Sequence, residues 1–317
     1  MKTLKVAAAI ALSAALLYLG TGLHPIPWLT WLAPLPVFLL APRVGAGTAL
    51  AAAFTAWLAG QTAMWAYFLN VLQMPLPAAA LVQLVPALVF GLAVVAARAL
   101  TLRGHLLSGV VIVPSCWVTM EYAMSVVLPH GAWASLAYTQ TDVLPILQTA
   151  SVTGVWGITF LLMAVPSALA ALLTPASLVR RTPLAGAPLS RAIALNPGQV
   201  RMAVIFGSVV IAALGYGGWQ LRATPQPRPD KVALVATDHP DDVVSLSTPQ
   251  GHDLVDHYVT SIDKLAKDGA RVVVLPEKTF LADDKSLPTL ARPLTRIART
   301  HHVDVVAGLV LSKAGAS

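Results

Sequence analysis

Apolar runs at or near 20 residues in length recur along the first two-thirds of this chain, and no other feature restricts its fold as severely. They fall at 5–23, 46–70, 76–97, 106–128, 154–174 and 202–221. A helix rising 1.5 Å per residue needs about 20 such residues to cross a hydrocarbon layer about 30 Å thick. Inside that layer the backbone must satisfy its own hydrogen bonds, which a helix does. A shorter run, 28–41, contains Pro34 and Pro36 and fits the template least well. Counting it, the sequence predicts about seven membrane-spanning helices in residues 1–221 and a segment of ordinary polarity in 222–317.

The charges support this count. Residues 1–221 carry nine Lys and Arg but only two acids, Glu121 and Asp142; the remaining twelve basic and twelve acidic residues lie beyond 221 and cancel. The formal charge of +7 therefore belongs to the apolar part, where membrane topology explains it, and gives no reason to expect a nucleic-acid partner. With the N-terminus in the cytoplasm, the inner segments 1–5, 42–45, 98–105 and 175–201 hold all nine basic residues, and the outer segments 24–27, 70–75 and 129–153 hold none. That bias places 222–317 outside the cytoplasm, and it requires the weak span 28–41 to keep the alternation. The N-terminal run is expected to be an uncleaved helix, because Gly22-Leu23-His24-Pro25-Ile26-Pro27-Trp28 has the character of a tight hairpin rather than a signal cleavage site.

Several residues of the membrane half are candidates for more than anchoring. Glu121 lies inside an apolar run, four residues after Trp117 and so on the same helical face. An acid within a span is a functional candidate because burying it unpaired is expensive. The outer segment carries Trp133, Tyr138 and Gln140, followed by Trp156 between Gly154 and Gly157. Trp and Tyr suit an interface where an apolar ring and a polar tip are both accommodated. Trp117, Glu121, Trp133, Tyr138, Gln140 and Trp156 are the candidate lipid-facing residues. The lone Cys116 lies in an apolar span, so no disulfide within the chain is possible and packing explains it.

Beyond residue 222 the periodicity changes. Lys231–Thr237 reads as a buried strand; 249–268 places Leu254, Tyr258, Ile262 and Leu265 on one helical stripe; 271–276 is a second strand. A helix with Leu290, Leu294, Ile297 and His301 in register follows, then a third strand over 303–310. This alternation predicts an α/β layer with buried strands. The second strand closes on Leu275-Pro276-Glu277, and the carboxyl ends of strands are where such folds place their sites.

Leu275-Pro276-Glu277, on a strand preceded by Asp268-Gly269-Ala270, resembles the glutamate motif of the nitrilase, or carbon–nitrogen hydrolase, superfamily. Behind a multi-span helical bundle, that motif resembles the bacterial apolipoprotein N-acyltransferases. The membrane half agrees: Trp28 to Pro34, Trp117 with Glu121, Trp133 with Tyr138-Thr139-Gln140, and Gly154 to Phe160 are similar to that family's segments in order and spacing. The resemblance implies a bundle of about seven helices followed by the N-terminal part of a nitrilase-type (αββα) domain. It implies acyl transfer from a phospholipid donor, through a cysteine thioester, to the α-amine of a diacylglyceryl-modified lipoprotein. The setting it implies is the bacterial inner membrane, with 222–317 periplasmic. Glu277 matches the general base, whose role is to convert a thiol into the reactive thiolate.

The rest of that machinery has no match here. Lys278 stands beside the base rather than on a later strand, Lys313 has no strand behind it, and Cys116 is in the membrane half. Thr237-Asp238-His239-Pro240 stands where a strand-ending glutamine is expected, and no Trp follows Trp219. The expectation is a C-terminally incomplete chain, inactive as given. A non-catalytic lipid-binding or assembly protein and a transporter lined by Glu121 and Asp142 remain open. No cofactor is expected, because no phosphate-cradling glycine motif appears, and no metal, because the eight histidines are scattered. Nothing in the sequence requires more than a monomer.

Overall fold

The computed structural model describes residues 2–128, 131, 135–179, 197–223, 231–237 and 243–312; Trp133 and Lys313 lie outside them. The chain divides into two compact units, Met1–Thr224 and Pro225–Ser317.

The first unit is helical. In chain order its helices are α1 (Lys2–Gly20), α2 (Pro27–Leu32), α3 (Leu35–Leu40), α4 (Ala46–Gly60), α5 (Leu76–Leu102), α6 (Leu106–Val127), α7 (Leu144–Leu147), α8 (Ala150–Leu172), α9 (Ala176–Val179) and α10 (Pro197–Ala223). Among the described residues five of these, α1, α5, α6, α8 and α10, are long and apolar enough to cross a membrane. The two other expected spans are broken. Residues 28–41 form two helices of six residues each, with Pro34 and Pro36 at the junction, where proline supplies no N–H to continue the ladder. Residues 46–70 begin as α4, but beyond Gly60 the pitch changes to a 3-10 turn over Gln61–Met64 and then a π turn over Tyr67–Val71. Such departures recur at functional positions because they re-aim side chains.

Small residues let the helices approach: Ala33, Ala53, Ala56 and Ala87 are fully buried beside Phe90, Ile158 and Leu162. Helix α8 is the central element, with 61% of its most apolar window buried, whereas the figure is 17% for α1 and for α10. Its first turn is set off by Gly154, whose φ of 63° lies in the left-handed region open to glycine. Leu4, Leu81, Val126, Val127 and Ile211 point outward and are exposed, the pattern of a helix surface that meets lipid. At one end of the bundle Arg98 donates to the carbonyls of Ala41 (3.0 Å) and Val44 (2.8 Å). There Arg43 also reaches the carbonyls of Leu39 and Leu173.

The second unit contains β1 (Val232–Leu234), β2 (Val244–Ser245), α11 (Pro249–Lys267), β3 (Val272–Val274), β4 (Phe280–Ala282), α12 (Leu287–His301), β5 (Asp304–Val306) and β6 (Leu309–Leu311). The strands make two parallel three-stranded sheets, ordered β1-β3-β5 and β2-β4-β6. Helix α11 starts at Thr248, whose hydroxyl accepts from the Gly251 amide at 3.2 Å, with Pro249 at the first helical position. The expected stripe is buried: Leu254, Tyr258 and Ile262 pack with Val273, Phe280, Leu290 and Leu294. The expected third strand is two strands in different sheets, broken at Ala307-Gly308, and β2 and β4 are additions. Strands of two or three residues carry too little alternation to register in sequence.

Candidate functional site

The pitch change after Gly60 and the hairpin after α1 open one end of the helical unit into a cavity of about 670 Å³. Gln61, Met64, Tyr67 and Phe68 line it from the irregular segment, Thr21 to Pro25 from the hairpin, and Val82, Gln83 and Pro86 from α5. Helix α6 contributes Trp117, Met120, Glu121 and Met124, and the segment 135–142 contributes Ser135, Leu136, Tyr138, Thr139, Thr141 and Asp142. An aromatic cluster underlies it. The rings of Trp57 and Trp117 are 4.2 Å apart between centroids, Trp57 lies 5.0 Å from Phe90, and Phe90 meets Trp117 edge-on at 6.3 Å.

Glu121 is 5% exposed and saturated with donors. Its Oε1 accepts from Trp117 Nε1 (2.9 Å) and the Leu136 amide (2.9 Å), and its Oε2 accepts from the hydroxyls of Ser135 (2.8 Å) and Thr159 (3.0 Å). Four donors compensate much of what a carboxylate loses by leaving water, without a cationic partner. The bond from Trp117 is the i,i+4 pairing expected from sequence; the other three come from segments 14 to 38 residues away. Glu121 therefore pins the start of the 3-10 helix Leu136–Gln140 to α6 and α8.

Gln140 pins its other end. Fully buried, it accepts from Trp31 Nε1 at 2.9 Å and donates to the Pro27 carbonyl (3.0 Å) and the Thr139 hydroxyl (2.9 Å). It ties the segment 135–142 to α2 and does not line the cavity. Tyr138 lines the cavity and is half exposed. Trp156 does not line it; its ring stands edge-on to the exposed Tyr122, centroids 5.8 Å apart. The expected group of lipid-facing residues thus separates: Trp117, Glu121 and Tyr138 converge on the cavity, Gln140 braces it, Trp156 lies elsewhere and Trp133 is outside the described residues. Trp57, Gln61 and Gln83 join the cavity without having been singled out, since each reads in sequence as one more residue of an apolar run.

In the second unit the two sheets are separated at one level across all three strand pairs, and Glu277 sits at that level, in the turn from β3 to β4. Its side chain is 83% exposed, and among the described residues its ion-pair partner is Lys278, at 3.6 Å. Lys278 has a left-handed φ of 58°. The break between β5 and β6 passes so close that a Cβ on Gly308 would lie 2.8 Å from Glu277 Cα and 2.9 Å from the Pro276 carbonyl oxygen. Glycine is needed at 308 for this approach. Cys116 is half-buried on α6 and packs against the aromatic core of the first unit.

Several helices long and apolar enough to cross a bilayer, with a buried carboxylate beside a partly open cavity, define a membrane protein. Residues 13–169 match the family described as apolipoprotein N-acyltransferase N-terminal domain, and through that domain the chain belongs to the apolipoprotein N-acyltransferase family. No curated protein matches the chain.

Proposed function

We propose that this chain serves N-terminal acylation of lipoproteins, with the helical unit holding the phospholipid acyl donor and the second unit contributing Glu277 as general base. The observation that carries the reading is the coincidence of cavity and family: every residue lining the cavity, from Thr21 to Asp142, falls within the matched stretch 13–169. A cavity with an apolar aromatic floor and a polar rim suits a molecule that is both acyl chain and head group.

In the proposed reaction Glu277 takes the proton of a cysteine thiol, and the thiolate attacks the phospholipid ester carbonyl. A thioester forms, and the lysophospholipid leaves as its alcohol after receiving a proton. The α-amine of a diacylglyceryl-modified lipoprotein then attacks the thioester, forming the amide and restoring the thiol. Glu277 is supported by its place at a strand's carboxyl end, at the break between sheets. The only cysteine of the 317 residues is Cys116, among the helices, so the nucleophile must come from elsewhere. The second unit is taken as part of a nitrilase-type domain on the periplasmic side of the inner membrane. The broken segments 27–43 and 46–71 are taken as crossings too, giving seven.

The test uses phospholipid with a labelled acyl chain. The 317-residue chain forms no acyl-thioester; joined to a nitrilase-type segment that supplies cysteine and lysine, it does, and Glu277→Gln abolishes labelling while membrane insertion persists. Labelling retained within a few-fold in the Gln variant places the base elsewhere.

A further inference from the structure

A second, smaller hollow of about 30 Å³ lies where α3, α5, α6 and α8 meet, at the end of the helical unit that holds Arg98. It is separate from the large cavity: Gln83 on that cavity's wall and Arg98 here are about 22 Å apart along α5, at 1.5 Å per residue. Phe38, Val94 and Val110 make much of its wall apolar, and four polar side chains join them, Arg98 and Thr101 from α5 and Ser167 and Thr174 from α8. Thr174 is satisfied, since its hydroxyl donates to the Ala170 carbonyl at 2.7 Å. The other three are not. Arg98 uses only Nε, on the carbonyls of Ala41 and Val44, and its two Nη groups have no partner among the described residues. Ser167 is 7% exposed and its buried hydroxyl has no partner; the hydroxyl of Thr101, itself 9% exposed, has none among the described residues. Buried hydroxyls are expensive to leave unmatched.

Charge is unbalanced at the same place. Glu121 and Asp142 are the only acids of residues 1–221, and both line the large cavity, so the half-buried guanidinium of Arg98 faces no carboxylate of its own unit. A charge taken out of water without a counter-charge is costly. The carbonyl oxygens that would repel an anion are already engaged. Arg98 holds that of Ala41, Arg43 that of Leu173, and Gln199 those of Ala171, Leu172 and Thr174. Gly109, in the first turns of α6, leaves the Thr101 hydroxyl uncovered, since a Cβ there would lie 2.7 Å from it. The hollow therefore offers positive charge and a surplus of donors in an apolar setting.

We propose that this hollow binds one monatomic anion of chloride size, held by the Nη groups of Arg98 and the hydroxyls of Thr101 and Ser167, the latter turned inward about its Cα–Cβ bond. The volume equals one water's share of the liquid, which a halide fits and a tetrahedral phosphate does not. A water would accept from two of these donors and leave the guanidinium without a counter-charge. The bound anion ties the C-terminal turns of α5 and α8 together and neutralises the arginine that holds the chain beyond α3. The site is remote from the large cavity and does not depend on the acyl-transfer reading.

The test is thermal unfolding of the full chain in neutral maltoside micelles at constant sodium concentration, with gluconate replaced stepwise by chloride, bromide or phosphate. The wild-type midpoint is expected to rise with chloride and level off as a single site fills, bromide to substitute, and phosphate to leave it at the gluconate value. Ser167→Ala and Thr101→Val each weaken the apparent chloride affinity about tenfold, as for the loss of one hydrogen bond to a charge. Arg98 is left in place because its Nε also holds Ala41 and Val44. In gluconate Ser167→Ala should unfold at or above the wild-type midpoint, because it removes a buried hydroxyl that has no partner; in saturating chloride it should fall below. A Ser167→Ala deficit of equal size in both salts makes the hydroxyl merely structural and overturns the proposal. So does a chloride response that is absent, that never saturates, or that is the same in all three proteins. Addition of phosphatidylglycerol to the micelles separates the remaining source: if it raises the wild-type midpoint and abolishes the chloride response, while doing neither in Ser167→Ala, a lipid phosphate takes the place and the monatomic anion is excluded.

Discussion

The two glutamates of this chain occupy opposite environments, and each defines its residue-scale chemistry. Glu121 is enclosed by four donors, whereas Glu277 is exposed on a turn held in shape by Gly308, in the break between β5 and β6. Gly308→Ala should push that turn outward, because its methyl group has only backbone for neighbours; the expected cost is about 1–3 kcal/mol, read as a lower denaturant midpoint for the second unit. In the second unit a third carboxylate, Asp283, gives a pH signature. The hydroxyl of Ser286 (2.6 Å), with the Ser286 amide (2.7 Å), holds Asp283 below the usual aspartate range. A group depressed in the folded state contributes stability that is complete above the unfolded value, about 3.9, and lost as pH falls through the lower folded value. Ser286→Ala should therefore sit below wild type in unfolding midpoint near neutrality, and the gap should narrow as pH drops below about 4. A gap that stays constant with pH would remove Asp283 as its cause.

At the scale of elements, the segment 135–142 decides the shape of the cavity and is held at two points. Glu121→Leu leaves the Trp117 indole, the Leu136 amide and two hydroxyls without their acceptor, at about 1–3 kcal/mol for each buried group left unpaired. Glu121→Gln keeps one oxygen, and the hydroxyls of Ser135 and Thr159 can rotate to accept from the new amide. Protease sensitivity across 135–142 should rise in the order wild type, Gln, Leu; an equal response of both variants would mean that charge rather than hydrogen bonding holds the segment. The irregular turns after Gly60 are the other shaping element, and hydropathy does not announce them: 46–70 reads as one apolar run, and a change of helical pitch leaves no mark on it. The amphipathic helices of the second unit were legible because their stripes are strong. β2 and β4 were not, because two or three residues at a strand break are fixed by pairing with distant partners.

For the whole molecule, the cavity and the side chains of Arg43 and Arg98 lie at opposite ends of the helical unit. Gln83 and Arg98 belong to the same helix, one facing the cavity and the other binding the carbonyls of Ala41 and Val44. This agrees with basic residues at a cytoplasmic end and a cavity opening outward. Reporter fusions at residue 104 and within 260–265 should read cytoplasmic and extracytoplasmic respectively; a cytoplasmic signal at 260–265 would invert the proposed topology.

The sequence by itself determined what bulk properties decide. Apolar runs of spanning length and the one-sided placement of basic residues require a helical membrane unit, and alternating stripes require an α/β unit after it. The chemistry of a lone acid in an apolar helix marks Glu121 as a residue in need of partners. Only the tertiary structure decided which partners those are, that Gln140 braces while Trp156 lies apart, and that Gln61 and Gln83 line the cavity. The physical reason is that hydropathy and periodicity are sums along a chain, whereas a hydrogen bond is set by a few tenths of an ångström between segments brought together by packing.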